Sequence, residues 1–265
     1  MTSFGDDIKG DLLNTWLSIK FELRKHLRRK RLLIVAALAI LIPLIFYVYA
    51  PDTAGEFAAG SLGFLSILII ISGAMFAGDA IAGEFEKKTG LLLLPTPQKR
   101  LSIFAGKYIA ALIATFMVVS IYYVITTLQI AHLYGLGEIL AELGKSFLTA
   151  LIYVTSVVSV MFFISSILKR SISSTILGFV FLMLIMPITS SILMSADIEP
   201  WFIVTYSAGL ISTVLGDVNL AFGPGHGVTS ADFEPAFGVG IGVMMAYTII
   251  AFLGSMKIAD SKSME

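Results

Sequence analysis

The sequence predicts an all-α membrane protein with six transmembrane helices, because it is very apolar and its apolar residues fall into six long runs. Hydrophobic residues make up 57% of the 265 residues and charged residues 14%, whereas about 25% charge is usual in soluble domains. Mean hydropathy is +0.92. Each run approaches the roughly 20 residues that cross a bilayer core. We expect spans at about 32–50, 57–78, 106–130, 146–168, 173–194 and 237–256.

The residues before the first span predict an amphipathic helix over 8–31 that lies in the membrane interface. Its remaining surface is charged and ends in a basic cluster that includes Arg28 and Arg29, which would face anionic lipid. We expect Trp16 at headgroup depth. A soluble coiled-coil arm is disfavoured, because the basic end runs straight into a span. One apolar stripe has spacings of three and four residues: Ile8, Leu12, Trp16, Ile19, Leu23 and Leu27.

The lysines and arginines predict which end of the protein faces the cytoplasm. With six spans, 17 of the 18 basic residues fall on one side, and only Lys145 falls on the other. Because basic residues concentrate in cytoplasmic connections, that side is expected to be the cytoplasm. We therefore expect a multi-pass protein of the plasma membrane with both termini in the cytoplasm.

The longest outer connection, residues 195–236, begins with a stretch over 198–215 that is too apolar for a loop exposed to water. We expect a short re-entrant or interfacial helix there, with Trp201 and Tyr206 as interface anchors. Within the spans, Pro43 and Pro187 should kink their helices. The second part of the connection is rich in Gly, Pro and Asp, and its flexibility argues against a metal site formed by Asp217, His226, Asp232 and Glu234.

The inner connection over 79–107 combines dense charge with glycines and prolines that break helices. Residues 80–88 form a good helix sequence with Glu84 and Glu86 near its end, and Gly90 ends it. Four leucines and Pro95 follow, and the proline prevents continuation into the next span. A short helix held at a membrane face beside exposed leucines indicates a docking device.

Several kinds of chemistry are missing from the sequence. With no cysteine, the chain has no disulfide, thiolate metal site or cysteine nucleophile. No ionisable residue lies in the interior of a predicted span, which disfavours a proton-coupled carrier. The GxxxxGK[ST] phosphate loop is also absent, although residues 144–146 read Gly-Lys-Ser. We therefore expect neither catalysis nor ATP binding by this chain.

Polar uncharged residues inside the spans are expected to form hydrogen bonds between helices, in preference to lining a substrate path. In the sixth span, small residues four apart, Gly238, Gly242 and Ala246, would let another helix approach, from this chain or from a second one. The polar residues of the third to fifth spans are Tyr122, Tyr123, Thr126, Thr127, Gln129, Tyr153, Ser156, Ser159, Thr189, Ser190 and Ser191.

The inner connection resembles that of permease subunits of ABC transporters of the ABC-2 type. That family's segment runs from acidic residues through Thr-Gly, leucines and proline to an arginine and a later Gly-Lys. The family often has an arginine after the first glutamate, where this chain has Phe85. Six spans, the N-terminal helix and the long outer connection agree over nearly the whole chain. The matching residues are Glu84, Glu86, Thr89, Gly90, Leu91 to Leu94, Pro95, Pro97, Arg100, Gly106 and Lys107.

The resemblance implies a single permease domain over 1–265, with a connecting helix at 1–31 and a cytosolic coupling loop at 79–107. The loop's coupling helix would sit in a cleft of a separate ATPase subunit that binds ATP and Mg, while this chain holds no cofactor or metal. A second, smaller contact is implied at Lys169 and Arg170. The implied docking residues are Asp79, Gly83, Glu84, Glu86, Lys87, Thr89, Gly90, Leu94, Pro95 and Arg100.

The resemblance further implies a second permease subunit, identical or different, and no nucleic-acid partner. ATP binding would switch the spans between inward-open and outward-open states. Export is favoured over import, because the outer face has no large domain to receive a binding protein. A stand-alone carrier or channel and a non-transporting membrane anchor subunit stay open as alternatives. An apolar lining would suit a lipid or hydrophobic peptide, and the hydroxyl-rich faces would suit a sugar or ion.

Overall fold

The computed structural model describes residues 4–28, 30–48, 51–86, 100–135, 137, 139–215, 233 and 235–261. Regular structure in these ranges is helical throughout, with one π-helical turn. The helices are α1 (Phe4–Arg28), α2 (Lys30–Val48), α3 (Ala54–Gly63), α4 (Leu65–Ala77), α5 (Ala82–Glu86), α6 (Arg100–Leu133), α7 (Ile139–Ile167), α8 (Ser171–Val180), the π turn Phe181–Ile185, α9 (Met186–Ser195), α10 (Val204–Ser207), α11 (Leu210–Thr213) and α12 (Phe237–Ser261).

Within the described residues, six helical stretches are long and apolar enough to cross a membrane, which confirms the predicted fold class. The second span comprises α3, α4 and, after a turn, α5, and the fifth comprises α8, the π turn and α9. The remaining spans are α2, α6, α7 and α12. Their bounds are Lys30–Val48, Ala54–Glu86, Ser102–Leu133, Ile139–Ile167, Ser171–Ser195 and Phe237–Ala259.

The second and fourth spans form the centre of the bundle. In each, 67% of the most apolar window is buried within the chain, against 17% for the first, fifth and sixth spans. Phe57 of the second span and Tyr153 of the fourth are completely buried. The outer spans therefore leave most of their apolar surface to lipid or to another protein, because lipid solvates such surface as well as protein does.

The spans alternate between two ends of the bundle. At one end, hereafter the charged end, Arg31 at the start of the first span meets Asp79 at the close of the second. The opposite end is hereafter the far end. Lys145, at the start of the fourth span, lies there, whereas Lys169 and Arg170 follow the same span at the charged end. The basic residues of the described connections thus divide as the six-span prediction requires.

The sixth span packs along the fourth and runs in the same direction. Thr248 lies 3.2 Å from Thr155 through their hydroxyl oxygens, and further along Gly254 packs against the ring of Phe163. The sixth span therefore ends at the charged end. Its small-residue stripe faces away from the chain's own helices, since these residues are exposed: Gly238, Gly242 and Ala246.

The fifth span loses its regular α-helical pattern where the sequence predicts a kink. The π turn Phe181–Ile185 immediately precedes the helix that carries Pro187 in its first turn. Proline has no N–H for the helical ladder, and a wider turn accommodates its ring. Pro43, in contrast, lies within a single continuous helix, Lys30–Val48.

The outer connection contains two short helices, α10 and α11, whose residues are buried against the bundle. Trp201 is 54% exposed, and its role as an interface anchor stays a prediction. The matching expectation for Tyr206 is wrong: its ring is buried beside Met194 and Ile203, and its hydroxyl donates to Glu199 at 3.4 Å. The disfavoured metal site falls on residues that lie outside the described ones: Asp217, His226, Asp232 and Glu234.

Candidate functional site

The second span breaks just before its charged end, and the break creates the site. Helix α4 ends at Ala77, a turn follows, and the short helix α5 covers Ala82–Glu86. We call residues 78–86 the end segment. The turn lies where the apolar run gives way to Gly78 and Asp79. Asp79 is only partly buried there, whereas Gly78 and Ile81 are buried.

One side of the end segment is held to α1 and the third span by ion pairs around Lys107. The Lys107 ammonium lies 2.5 Å from Glu84 Oε1, 3.1 Å from Glu22 Oε1 and 3.4 Å from the carbonyl oxygen of Ala80. Its side chain is only 7% exposed. A buried ammonium is tolerated only when its charge and its hydrogen-bond donors are satisfied, and this arrangement does both.

Glu22 ties α1 into this cluster. Lys25, one turn further along the same helix, donates to Glu22 at 2.7 Å. Burial by itself would raise the pKa of Glu22, but the charges of Lys107 and Lys25 outweigh that effect and lower the pKa to about 2. Glu22 is therefore ionised throughout the physiological pH range.

Two further contacts fix the same side. Gly106 allows close packing of α1 on the third span, because a Cβ there would stand 2.5 Å from the Cβ of Ser18. Arg31 donates to Asp79 Oδ2 at 2.9 Å and connects the first span to the break in the second. We call the contacts of Arg31 with Asp79, and of Lys107 with Glu22 and Glu84, the ionic seam.

A small polar cavity of about 50 Å³ lies inside the ionic seam. That volume is large enough to hold water. Both sides of the seam contribute to its wall, which the side chain of His26 and the ring of Phe76 complete. The cavity is lined by Glu22, Lys25, His26, Phe76, Asp79, Ala80, Gly83, Glu84, Lys107 and Ser171.

The other side of the end segment is held to the fourth and fifth spans by neutral donors. The hydroxyl oxygen of Ser165 accepts hydrogen bonds from the backbone N–H groups of Ile81 and Ala82, both at 3.0 Å. Glu86 accepts from the backbone N–H of Ser171 at 2.8 Å. We call these three hydrogen bonds the backbone joint.

Residues 18–185, more than half of the chain, match the sequence profile of the ABC-2 family transporter proteins. The chain belongs to this family. It is a permease subunit of an ABC transporter and a multi-pass membrane protein, as the inner connection and the six spans predict. The match covers the ionic seam and the backbone joint completely. No individual curated protein matches the chain.

The permease brings the two predicted docking contacts together. Lys169 and Arg170 are exposed, and they directly precede Ser171, whose backbone Glu86 binds. Gly83 also lies beside Ser171, with 3.9 Å between the position of a Cβ and the serine oxygen. The connection after the fourth span and the end segment therefore form one continuous surface.

Asp79 and Glu84 form ion pairs inside the permease, which the sequence alone does not predict. Their carboxylates bind Arg31 and Lys107 within the permease, and their side chains are 17% and 23% exposed. They fix the end segment on the side that faces the rest of the bundle, while Glu86, its last residue, is exposed. The docking role of these residues stays a prediction.

Of the other predicted site residues of the permease, some lie in the described part of the structure and others lie outside it. Trp16 is 62% exposed and Arg28 is exposed, in keeping with an interfacial helix. Ile19 of the predicted apolar stripe is buried against the bundle, however, so the stripe as a whole does not face lipid as expected. Arg100 begins α6, but its side chain is outside the described part. The following residues lie entirely outside it: Arg29, Lys87, Thr89, Gly90, Leu94 and Pro95.

Sequence reasoning missed Glu22, Ser165 and Ser171 as parts of the site. Glu22 carried a signal, since it is the one acidic residue among the basic ones of positions 15–31. Ser165 carried none, because it resembles the other serines of an apolar helix. Its function as an acceptor depends on a backbone that lies 84 residues earlier in the chain.

Polar residues inside the membrane form hydrogen bonds between helices, as predicted for several of them. Tyr122 donates to the carbonyl of Ser61 at 2.6 Å. The hydroxyl oxygens of Tyr123 and Ser146 lie 2.7 Å apart. Others, including Ser156, bond within their own helix. Among the described residues, Gln129 and Tyr153 have buried polar atoms without a partner.

Proposed function

We propose that this permease works with a separate ABC ATPase subunit that docks on the charged end, and that ATP binding by that subunit drives export of a substrate. Membership of the ABC-2 family supports this proposal. The chain's sequence contains no phosphate loop, so ATP and Mg would be bound by the ATPase. The permease itself would contribute the transport path and no catalytic residue.

The charged end is proposed to face the cytoplasm of a cell whose plasma membrane holds the permease, with both termini on that side. Seventeen of the 18 lysines and arginines belong to that end under the six-span topology. An ATPase subunit needs cytoplasmic ATP, so the same orientation also places the docking surface where the nucleotide is available.

The observation that carries the docking proposal is the continuous surface made by the end segment and the connection after the fourth span. Glu86, Lys169 and Arg170 are exposed on it, while the ionic seam and the backbone joint fix the segment from both sides. A fixed docking helix transmits displacement, whereas a loose one absorbs it. We assign contact with the ATPase to Gly83 and to these exposed residues.

The rest of the predicted docking set would extend this surface along the inner connection. Lys87, Thr89, Gly90, Leu94, Pro95 and Arg100 are proposed to complete the ATPase contact, and Asp79 and Glu84 to hold it in shape. A second permease subunit, identical or different, is proposed to complete the transport path. Export is proposed because the predicted outer connections carry no large domain to receive a binding protein.

Reversing the charge at Lys169 and Arg170 tests the docking surface. The double variant K169E/R170E should lose most co-purification with the ATPase subunit, at least about tenfold, because charge complementarity at an interface becomes repulsion. Size-exclusion chromatography in detergent checks that the permease remains folded. The matched control is K145E, which reverses an exposed lysine at the far end and should leave co-purification unchanged.

Equal recovery of the ATPase with K169E/R170E and with K145E would contradict this docking surface. Solute movement by the purified chain alone in liposomes, without ATP, would contradict ATP-driven transport and would establish a stand-alone carrier or channel. Neither result depends on knowing the natural substrate in advance, because the first measures binding and the second can be screened with mixed solutes.

A further inference from the structure

Ser165 caps a helix that belongs to a different part of the chain. Helix α5 begins at Ala82, and the first N–H groups of a helix have no partner inside it. Ser165 of the fourth span supplies the acceptor for Ile81 and Ala82 at 3.0 Å each. All three residues are completely buried, so water cannot substitute for the hydroxyl.

Glu86 provides a second cap in the opposite direction. Helix α8 starts the fifth span, and its own N-cap residue, Arg170, makes no side-chain cap hydrogen bond. Glu86 accepts from the backbone N–H of Ser171 at 2.8 Å in its place. A carboxylate is favourable at a helix N-terminus, because its charge opposes the positive end of the helix dipole. The two helices are thus capped across the same contact.

The second, fourth and fifth spans also pack closely against one another, and each of the three pairs of spans meets at a glycine. A Cβ at Gly73 of the second span would lie 2.8 Å from Val157 Cγ1 of the fourth. Contacts at Gly78 bring the second span against Thr175 of the fifth, and Gly178 of the fifth receives the sulfur of Met161 of the fourth. Such close contacts leave little room for one of these helices to slide past another.

We propose that Ser165 is a positioning residue that fastens the end segment to the fourth span, so that this segment and the second, fourth and fifth spans move as one body. The movement itself rests on the proposed function, because the ATPase would supply it. The ionic seam is then the boundary that can open at the charged end, with α1 and the charged end of the third span on its other side. Deeper in the membrane the third span stays hydrogen-bonded to the second span through Tyr122 and to the fourth through Tyr123. Ser165 thereby decides which spans the ATPase displaces directly.

Disulfide trapping in the purified permease tests the fastening without any ATPase. The natural chain has no cysteine, so an introduced pair is the only one that can form. Gly83→Cys and Ser171→Cys place two thiols across the backbone joint, where a Cβ at Gly83 lies 3.9 Å from the serine oxygen. Copper phenanthroline in air serves as the oxidant, and the rate of disulfide formation reports how often the two positions meet.

Adding S165A to this pair should slow disulfide formation about tenfold, because two buried N–H groups lose their acceptor. S165T keeps the hydroxyl and should stay within about twofold of the parent rate. S156A is the matched control, since Ser156 is equally buried in the same helix and, within the described part of the chain, its hydroxyl donates to the carbonyl of Tyr153 in its own helix. An unchanged rate with S165A would overturn the positioning role.

A surface variant decides the question if S165A does not fold. Glu86 is exposed, so E86A should fold, and it should slow disulfide formation about threefold through loss of one hydrogen bond. E86Q retains a side-chain oxygen acceptor and should remain within about twofold of the parent. Equal rates for E86A and the parent would overturn the joint between the end segment and the fifth span.

The one-body movement is tested in the complex with the ATPase. Parts that move together can be cross-linked without effect. A disulfide between Gly73→Cys and Val157→Cys, which joins the second and fourth spans away from the docking surface, should therefore leave ATP hydrolysis by the complex within about twofold of the reduced form. A loss of hydrolysis that dithiothreitol reverses would overturn the one-body movement. Failure to bind any ATPase would contradict the proposed function alone, because the trapping rates of the isolated permease still test Ser165.

Discussion

The two sides of the end segment are held by different kinds of interaction. Toward α1 and the third span, the ionic seam joins charged side chains around a polar cavity. Toward the fourth and fifth spans, the backbone joint uses a serine hydroxyl and a carboxylate as acceptors for main-chain N–H groups. Ion pairs can separate and be hydrated, whereas buried main-chain N–H groups have no alternative partner.

This difference indicates where a permease of this kind can change shape. Opening the ionic seam exposes charges that water solvates well, and a polar cavity already lies between them. Opening the backbone joint would leave the N–H groups of Ile81 and Ala82 unsatisfied in an apolar interior. The seam is therefore the softer boundary, and the following predictions test that contrast in order of expected effect.

The largest effect is expected from Lys107→Met, which removes the cation at the centre of the seam. Glu22 and Glu84 would then face each other without Lys107, and breaking a buried ion pair in this way costs about 3–5 kcal/mol. Thermal unfolding followed by size-exclusion chromatography in detergent measures the loss. Adding Glu84→Gln should recover part of it, because one uncompensated charge disappears.

The control for Lys107→Met is Lys145→Met, which removes an exposed lysine at the far end and should change stability by less than about 0.5 kcal/mol. Similar losses for both lysine variants would contradict the buried ion pairs of the seam.

Ser165→Ala should have the next largest effect and should behave differently toward salt. Loss of a buried acceptor costs roughly 1–3 kcal/mol, and because no full charge is involved the loss should be the same at low and high ionic strength. Melting temperatures of the variant and of Ser156→Ala at both ionic strengths measure this. A destabilisation by Ser165→Ala that shrinks in high salt would show that the two sides of the segment do not differ as described.

The seam should also respond to acid through Glu22. Its pKa is lowered from 4.5 to about 2 in the folded protein, so its stabilising contribution is complete above pH 4.5 and is lost as the pH falls toward 2. Stability of the wild type should therefore decline over that range. Glu22→Gln should decline less steeply, and parallel curves for the two proteins would contradict the assigned pKa.

Arg31→Gln should have the smallest effect of the four. The Arg31 side chain is 42% exposed, so its pair with Asp79 is screened by solvent and contributes about 0.2–1 kcal/mol. High salt should reduce the difference from wild type further. A loss as large as that of Lys107→Met would show that this end of the seam is as strongly desolvated as its centre.

The membrane architecture was predictable from local sequence features. Apolar runs near the span length and the position of basic residues predict the number of spans, and the charged connection that begins at Asp79 predicts a short helix over 80–88. Tyr206 shows the limit of such reasoning. An aromatic residue in an outer connection resembles an interface anchor, but its neighbours Met194 and Ile203 bury it.

The sequence by itself determined the six spans, the charged end and the ABC-2 family, because hydropathy and motif spacing are properties of neighbouring residues. Only the tertiary structure decided that Glu84 meets Lys107, 23 residues away, and that Ser165 caps a helix start 84 residues away. Those partners depend on which helices pack together, and that packing is set by shape and burial over the whole bundle. The sequence showed that residues around Glu84 are charged. It did not show that Glu84 forms its ion pair inside the permease, with Lys107.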